Sequence, residues 1–228
     1  MLSILRGSTK VLMETKFKDL LTSRDEEKLI ELIAEYPSVL DLKQEGGSSN
    51  FATLAYHGLQ KAFDFAITQK QSFDFYEAIM AGKKELCDAI LKKKKSLLNS
   101  FAPDGFTPIA LATYFNQDKI AHWLLSQGAN PGIPARNNAK VNALHAAVAR
   151  NNVGLAESFL FAGVDVDSPQ MQEVTALHSA AHRGSVEMVK LLLRFHADKS
   201  LKVESGETAL QMAQKDGHEE VVKLLSYE

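Results

Sequence analysis

Apolar residues recur at helical spacing along the second half of the chain. They fall on one side of four predicted helices, at Ile120, Ala121, Trp123, Leu124 and Leu125; at Ala156, Phe159 and Leu160; at Met188, Val189, Leu191 and Leu192; and at Val221, Val222, Leu224 and Leu225. Spacings of three and four residues indicate amphipathic helices that bury one side. We expect these sides to pack between neighbouring units of a repeating structure.

A shorter helix is predicted before each of these four. Its cap is a residue whose side-chain oxygen can accept a hydrogen bond from the first helical turn, at Thr107, Asn142, Thr175 and Thr208. Five residues later stands an alanine, at Ala112, Ala147, Ala180 and Ala213. Near nine residues after the cap stands a turn-forming residue, at Asn116, Asn151, Gly184 and Gly217. Because alanine is small, we expect neighbouring short helices to approach closely.

The four caps are 35, 33 and 33 residues apart. A helix pair repeated at a near-constant period indicates stacked units, because one pair cannot cover its own apolar side. Two motifs accompany this period: Thr175-Ala176-Leu177-His178-Ser179-Ala180-Ala181 and the tail Gly163-Val164-Asp165-Val166-Asp167. Together they resemble the ankyrin repeat over residues 102–228. The resemblance implies an all-α ankyrin-repeat solenoid, in which stacked helix-turn-helix units are joined by β-turn tips.

Two features depart from the ankyrin pattern. Lys140 and Glu173 stand where the turn glycine of the family is expected. The 35-residue unit also has two extra residues between Pro131 and Lys140. We expect a longer or bent tip in that unit.

The repeat pattern weakens toward the N-terminus. Phe73 and the residues after it align with Thr107 at an offset of 34, which predicts a degenerate fifth unit. The predicted units are 70–101 (degenerate), 102–136, 137–169, 170–202 and 203–228. Ser23 to Glu26 is predicted to cap an amphipathic helix that Pro37 ends, and another helical pair is predicted near 50–69. Residues 16–69 are therefore predicted to form an irregular helical N-terminal cap, and residues 1–15 a flexible N-terminal tail.

Composition limits the classes of protein. The 26 basic and 28 acidic residues give a net charge of -2, which provides no global field for nucleic acid or an anionic membrane. A single cysteine, Cys87, excludes an internal disulfide and favours a reducing compartment. No apolar run approaches a membrane span, and the first residues lack the pattern of a secretory signal. We expect a cytoplasmic monomer that binds neither nucleic acid nor membrane.

Candidate catalytic and metal sites are few. His178 and His182 are four residues apart and could share a metal, but no third ligand is suitably spaced. The resemblance instead implies that His178, like His145, hydrogen-bonds a loop backbone. Cys87 lies between Leu86 and Ile90, a setting that favours a buried thiol over a nucleophile. We therefore predict no catalytic residues, no metal and no cofactor.

Two alternatives remain open. The run Lys92 to Lys95 could meet nucleic acid or an acidic partner, although a solvated helix end is favoured because no aromatic residues interleave the lysines. An enzyme or ligand-binding module could also have its site in the N-terminal 70 residues, the least regular part of the chain.

The favoured function is a non-enzymatic protein–protein interaction scaffold. By resemblance, the turn tips and the outer ends of the first helices line a concave face that binds a partner protein. The positions that match are Asp104, Phe106, Tyr114 and Phe115; Asn138, Val141 and Arg150; Gln172, Val174, His182 and Arg183; and Ser205, Glu207, Lys215 and Asp216. Aromatic and arginine side chains dominate many interfaces, so Phe106, Tyr114, Phe115, Arg150 and Arg183 are the strongest candidates.

Overall fold

The structure is a computed structural model that describes residues 2–226, with side chains from residue 11 onward. Its regular elements in these residues are helices, together with two isolated β-bridges. The chain forms two compact units, Met1–Ala81 and Gly82–Glu228. The all-α prediction is therefore confirmed, and each unit is described separately.

The first unit contains five α-helices. They are α1 (Leu2–Ser23), α2 (Glu26–Glu35), α3 (Asn50–Tyr56), α4 (Gln60–Gln69) and α5 (Phe75–Met80). α2 packs against α1 and α4, whereas α3 packs against α4 and α5. A short 3-10 segment, Pro37–Asp41, follows α2 and contacts the same group of helices. Fully buried side chains such as Phe17, Leu29 and Phe51 form the core of this unit.

The N-terminal segment differs from its prediction as a tail, because α1 is one helix from Leu2 to Ser23. Phe17 and Leu21 are buried and attach its C-terminal half to the unit. Ser23 belongs to α1, and it is Asp25 whose side chain accepts from Lys28 N and caps α2. Val11 and Leu12, nearer its start, are exposed, so the described tertiary contacts of α1 lie in its C-terminal half.

Residues 43–69 repeat the local pattern of the later units. Ser49 caps α3, Gly47 and Gly58 have positive φ, and α4 follows. The bridge between Lys43 and Ser49 matches the bridge between Lys202 and Thr208 in the last unit. The predicted helical pair near 50–69 is present, and its order of turn, helix, turn and helix is that of a repeat.

The next cap is Asp74, not Phe73. Its side chain accepts from Glu77 N, and the Glu77 carboxylate accepts from Asp74 N, which completes a capping box. Asp74 lies 33 residues before Thr107, so this unit keeps the period of the later units once its cap is placed one residue after the aligned Phe73. From Ser49 to Asp74 the distance is only 25 residues. This short spacing hides the repeat-like pair at 43–69 from a search for a constant period.

The second unit contains nine described α-helices. They are α6 (Lys84–Lys93), α7 (Pro108–Tyr114), α8 (Asp118–Ser126), α9 (Ala143–Ala149), α10 (Val153–Phe161), α11 (Ala176–His182), α12 (Val186–Arg194), α13 (Ala209–Lys215) and α14 (Glu219–Ser226). The first helices α7, α9, α11 and α13 pack in that order, as do the second helices α8, α10, α12 and α14. Each first helix also packs on the second helix that follows it. The predicted stack of helix pairs is confirmed.

Small residues allow the first helices to pack closely. The four predicted alanines, five residues after each cap, are all fully buried: Ala112, Ala147, Ala180 and Ala213. Larger side chains there would overpack the core and displace neighbouring helices. Buried residues of the second helices, such as Phe159 and Leu192, fill the space between the two layers.

Left-handed backbone ends every first helix of the second unit. The predicted turn formers at Asn116, Asn151, Gly184 and Gly217 all have positive φ. Lys140 and Glu173 have positive φ as well, at the tip position where the repeat pattern has glycine. A residue with a Cβ is strained there by about 1 kcal/mol or more. The fold imposes this conformation on residues that do not favour it.

Candidate functional site

The turn tips of successive repeats are joined by backbone hydrogen bonds. Arg136 N donates to Gly105 O over 2.9 Å, and Met171 N donates to Ala139 O over 3.0 Å. Glu204 N donates to Gln172 O over 3.0 Å in the last pair of tips. The tips therefore form a continuous row beside the first helices.

Two buried histidines, one on α9 and one on α11, each connect a first helix to the loop of the next repeat. Nε2 of His145 donates to Ser168 O (2.9 Å), and its Nδ1 accepts from Asn142 N (3.2 Å). Nε2 of His178 donates to Leu201 O (3.0 Å), and its Nδ1 faces Thr175 N and Oγ1. The predicted hydrogen bonds from both histidines to loop backbone are confirmed. Their role is structural, because both rings are buried and fully occupied.

Burial lowers the pKa of His145 and of His178 below the usual 6.5. Their Nδ1 atoms accept hydrogen bonds, so a proton added there would break the capping contact as well. The unfolded chain consequently binds more protons than the folded chain as the pH falls below about 6.5. Stability from these two groups is complete above that pH and decreases below it.

We expect the free energy of unfolding to decrease as the pH is lowered from 7 toward 5. Each histidine can contribute at most about 1.4 kcal/mol per pH unit. Urea unfolding at a series of pH values measures the slope, and the double variant His145→Gln/His178→Gln is the control. An equal slope for wild type and double variant would show that these rings do not cause the loss.

The exposed ends of the first helices and the tips form one surface, which we call the first-helix face. Its helix-end positions lie seven and eight residues after each cap and carry Tyr114, Phe115, Ala149, Arg150, His182, Arg183, Lys215 and Asp216. Tyr114, Arg150, His182 and Arg183 are exposed, while Phe115 is half-buried. The aromatic residues are therefore not sealed inside the molecule.

One part of this face is a cluster of Tyr114, Phe115 and Arg150. The Arg150 guanidinium lies 4.6 Å from the centre of the Tyr114 ring, and its Nε donates to Tyr114 O over 2.5 Å. The rings of Tyr114 and Phe115 meet edge to face at 5.2 Å. A guanidinium over an aromatic face is held by cation–π attraction, which limits the entropy that either side chain would lose on binding.

The other part of the face is a cavity of about 280 Å³ between α11 and α13, here called the α11–α13 cavity. It is lined by Val174, His178, Ser179, His182, Glu207, Met212, Lys215 and Asp216. His182 Nδ1 donates to Asp216 Oδ2 over 2.6 Å, and Lys215 Nζ donates to Glu207 Oε1 over 3.2 Å. Hydrogen bonds from Ser205 and Lys215 lower the pKa of Glu207. Five of the predicted partner-binding residues meet in this cavity.

The remaining predicted residues lie along the tips, except for Arg183, which is the C-cap of α11. Asp104 Oδ1 accepts from Phe106 N, and Asp104 O accepts from Asn137 Nδ2, so Asp104 orders its own turn. The half-buried residues there are Phe106 and Val141, and the exposed ones are Asn138, Gln172 and Ser205. They lie in the tip row rather than in the cavity. Their part in binding stays a prediction.

Sequence reasoning missed three side chains of the cavity: His178, Ser179 and Met212. Ser179 and Met212 stand four residues after the caps of their helices, one turn before the helix-end positions already chosen. Because side chains four apart share a helix face, this position could have been included. The packing of α11 on α13 places Ser179 and Met212 in the lining of the same cavity.

The structure also places the other residues that the sequence offered as catalytic or metal-binding candidates. Cys87 is fully buried, and burial raises the pKa of its thiol to about 12. The exposed lysines of the run lie at and beyond the end of α6, and Lys92 pairs with Asp88 at 2.6 Å. No group of three or more His, Cys, Asp or Glu in the described chain is placed to hold a metal ion. None of the described helices has the length and hydropathy of a membrane span.

Comparison with known families agrees with this architecture. A family model described as ankyrin repeats (3 copies) matches residues 144–228, and one described as ankyrin repeat matches residues 104–138. Together the two matches cover more than half of the chain. No curated protein matches the sequence significantly.

Proposed function

The chain belongs to the ankyrin repeat family, whose members are generally protein–protein interaction modules, and we propose that it is a non-enzymatic scaffold that binds a partner protein on the concave face of the stack. We further propose that the protein acts in the cytoplasm and as a monomer. The proposal takes the first-helix face as the concave face.

The observation that carries the proposal is the Tyr114, Phe115 and Arg150 cluster together with the α11–α13 cavity. Apart from the buried His178, both are built from positions that are exposed or only partly buried. Interface anchors are often drawn from surfaces of these two kinds: an ordered arginine on an exposed aromatic ring, here at the ends of α7 and α9, and an open cavity, here between α11 and α13. In contrast, the buried alanines and histidines of the same helices are committed to the fold.

The first unit gives the enzyme alternative no support among the described residues. Lys70 is buried against Asp41 and Glu77, and Ser49 donates to Glu77 over 2.5 Å. These polar groups satisfy one another in the core, and no described buried side-chain nitrogen or oxygen lacks a hydrogen-bond partner. A buried polar network whose members are all hydrogen-bonded fixes the packing of the core, and this is the role that we assign to Ser49, Lys70 and Glu77.

Changing Phe106, Tyr114 and Arg183 to serine together is expected to remove partner binding. Each loss of an anchor typically costs an interface about 2 kcal/mol, which corresponds to roughly thirtyfold in affinity. The measurement is affinity purification from the native host with crosslinking to map the contact. The control is Phe161→Ser, because Phe161 is 75% exposed and ends α10 in the second-helix layer. A partner set unchanged in the triple variant would remove the proposed face.

A further inference from the structure

Arg183 is an exposed charged residue next to the residues that line the α11–α13 cavity. It is exposed at the C-cap of α11, and its guanidinium makes no hydrogen bond or ion pair with any described residue. The polar groups that line the cavity contact one another: Lys215 forms an ion pair with Glu207, and His182 donates a hydrogen bond to Asp216. A guanidinium without an intramolecular partner among the described residues is therefore available to a ligand at this place.

A second arginine occupies the same position in the preceding repeat. Arg150, like Arg183, stands eight residues after the cap of its helix. Its Nε is bound to Tyr114 O, which leaves its terminal amino groups for another acceptor. Two guanidinium groups in neighbouring repeats make this strip of the face complementary to carboxylates.

The cavity itself suits an apolar side chain. Val174 and Met212 contribute apolar wall, while the polar side chains of the lining hydrogen-bond one another. Its volume of about 280 Å³ lies just under the range of about 300 to 1,000 Å³ typical of small-molecule sites. The space fits one large side chain of a peptide better than a whole cofactor.

We propose that this face recognises an acidic segment with one apolar anchor. The anchor enters the α11–α13 cavity, and a neighbouring Asp or Glu of the partner pairs with Arg183. This inference rests on the interaction function proposed above. Neighbouring helices lie about 10 Å apart, a distance that an extended chain covers in about three residues. A second acidic residue about three positions further toward α9 therefore reaches Arg150.

Selection of random dodecapeptides displayed on phage against the full chain tests the ligand class. We expect enrichment of sequences in which Leu, Ile, Met or Phe stands near Asp or Glu. Enrichment of basic sequences, or no enrichment above the background of an uncoated surface, would overturn the proposal.

Fluorescence anisotropy with the best peptide, labelled with fluorescein, tests the two contacts. Arg183→Glu and Met212→Lys are each expected to raise the Kd at least tenfold. Lys119→Glu is the matched charge reversal, because Lys119 is exposed on α8, a second helix, and it should leave the Kd unchanged. Thermal unfolding of each variant identifies any that fails to fold.

A charge swap separates direct pairing from a structural effect. The same peptide with its acidic residue changed to lysine should bind Arg183→Glu more tightly than it binds the wild type. If Arg183→Glu and Met212→Lys keep wild-type affinity while Tyr114→Ser loses it, the cavity proposal fails and the concave-face proposal stands. If Tyr114→Ser also keeps wild-type affinity, both proposals fail.

Discussion

Gly184→Ala is expected to destabilise the chain by about 3 kcal/mol. Gly184 has φ +66°, a conformation that costs a residue with a Cβ about 1 to 2 kcal/mol. An added Cβ would also lie 2.5 Å from Nδ1 of His218. The ring must move, and its Nε2 would lose the 3.0 Å hydrogen bond to His182 O, worth about 1 kcal/mol.

Gly217→Ala is the matched control for this effect. Gly217 stands at the same position of the last repeat with φ +76°, but an added Cβ there meets no atom within 4 Å. It should cost about 1 kcal/mol, the backbone part alone. Urea unfolding of both variants measures the difference. In a His218→Ala background, Gly184→Ala should cost no more than Gly217→Ala; a full cost there would show that the ring contact is not the cause.

His178→Ala is expected to destabilise the chain by about 3 kcal/mol as well. The substitution leaves Leu201 O without its donor, removes the acceptor of Thr175 N and opens a cavity in the stack. His178→Gln should cost less, about 1 kcal/mol. In the next repeat Gln211 stands at this position, and its Oε1 accepts from Thr208 N over 2.9 Å.

The control for His178→Ala is His182→Ala, because His182 lies one turn further along the same helix and its side chain is exposed. Its pair with Asp216 is at the surface, so its loss should change stability by less than about 1 kcal/mol. Denaturant unfolding at pH 7.5, where both wild-type rings at 145 and 178 are neutral, gives the comparison. If His178→Ala costs no more than His182→Ala, the bridge between repeats is not a stabilising element.

The local features of the repeats could be predicted because their causes are local. A cap such as Thr107 binds a backbone N–H three residues away, here that of Ala110. The left-handed turn at Asn116 depends on the tolerance of its own side chain for positive φ. The buried alanines were found by recurrence, since a position that must be small in one repeat must be small in the next. The resemblance to the ankyrin repeat implied that His145 and His178 reach loop backbone.

The candidate face was predicted by position and not by shape. The sequence indicates which side chains the packing leaves exposed, such as Arg150 and Arg183. It does not indicate that Arg150 lies on the ring of Tyr114, 36 residues away, or that Asp216 meets His182 across two helices. These contacts follow from the rise and rotation between repeats, which depend on the sum of many buried contacts.

The sequence by itself determined the repeat, its caps, its turns and its all-α class, because each depends on hydrogen bonds and steric limits within a few residues. Only the tertiary structure decided the attachment of α1 by its C-terminal half, the short-spaced pair at 43–69 and the α11–α13 cavity. Burial of residues distant in the sequence, such as Phe17 and Leu21 of α1, supplies the free energy that local preference lacks. The space between two helices likewise exists only when both are packed.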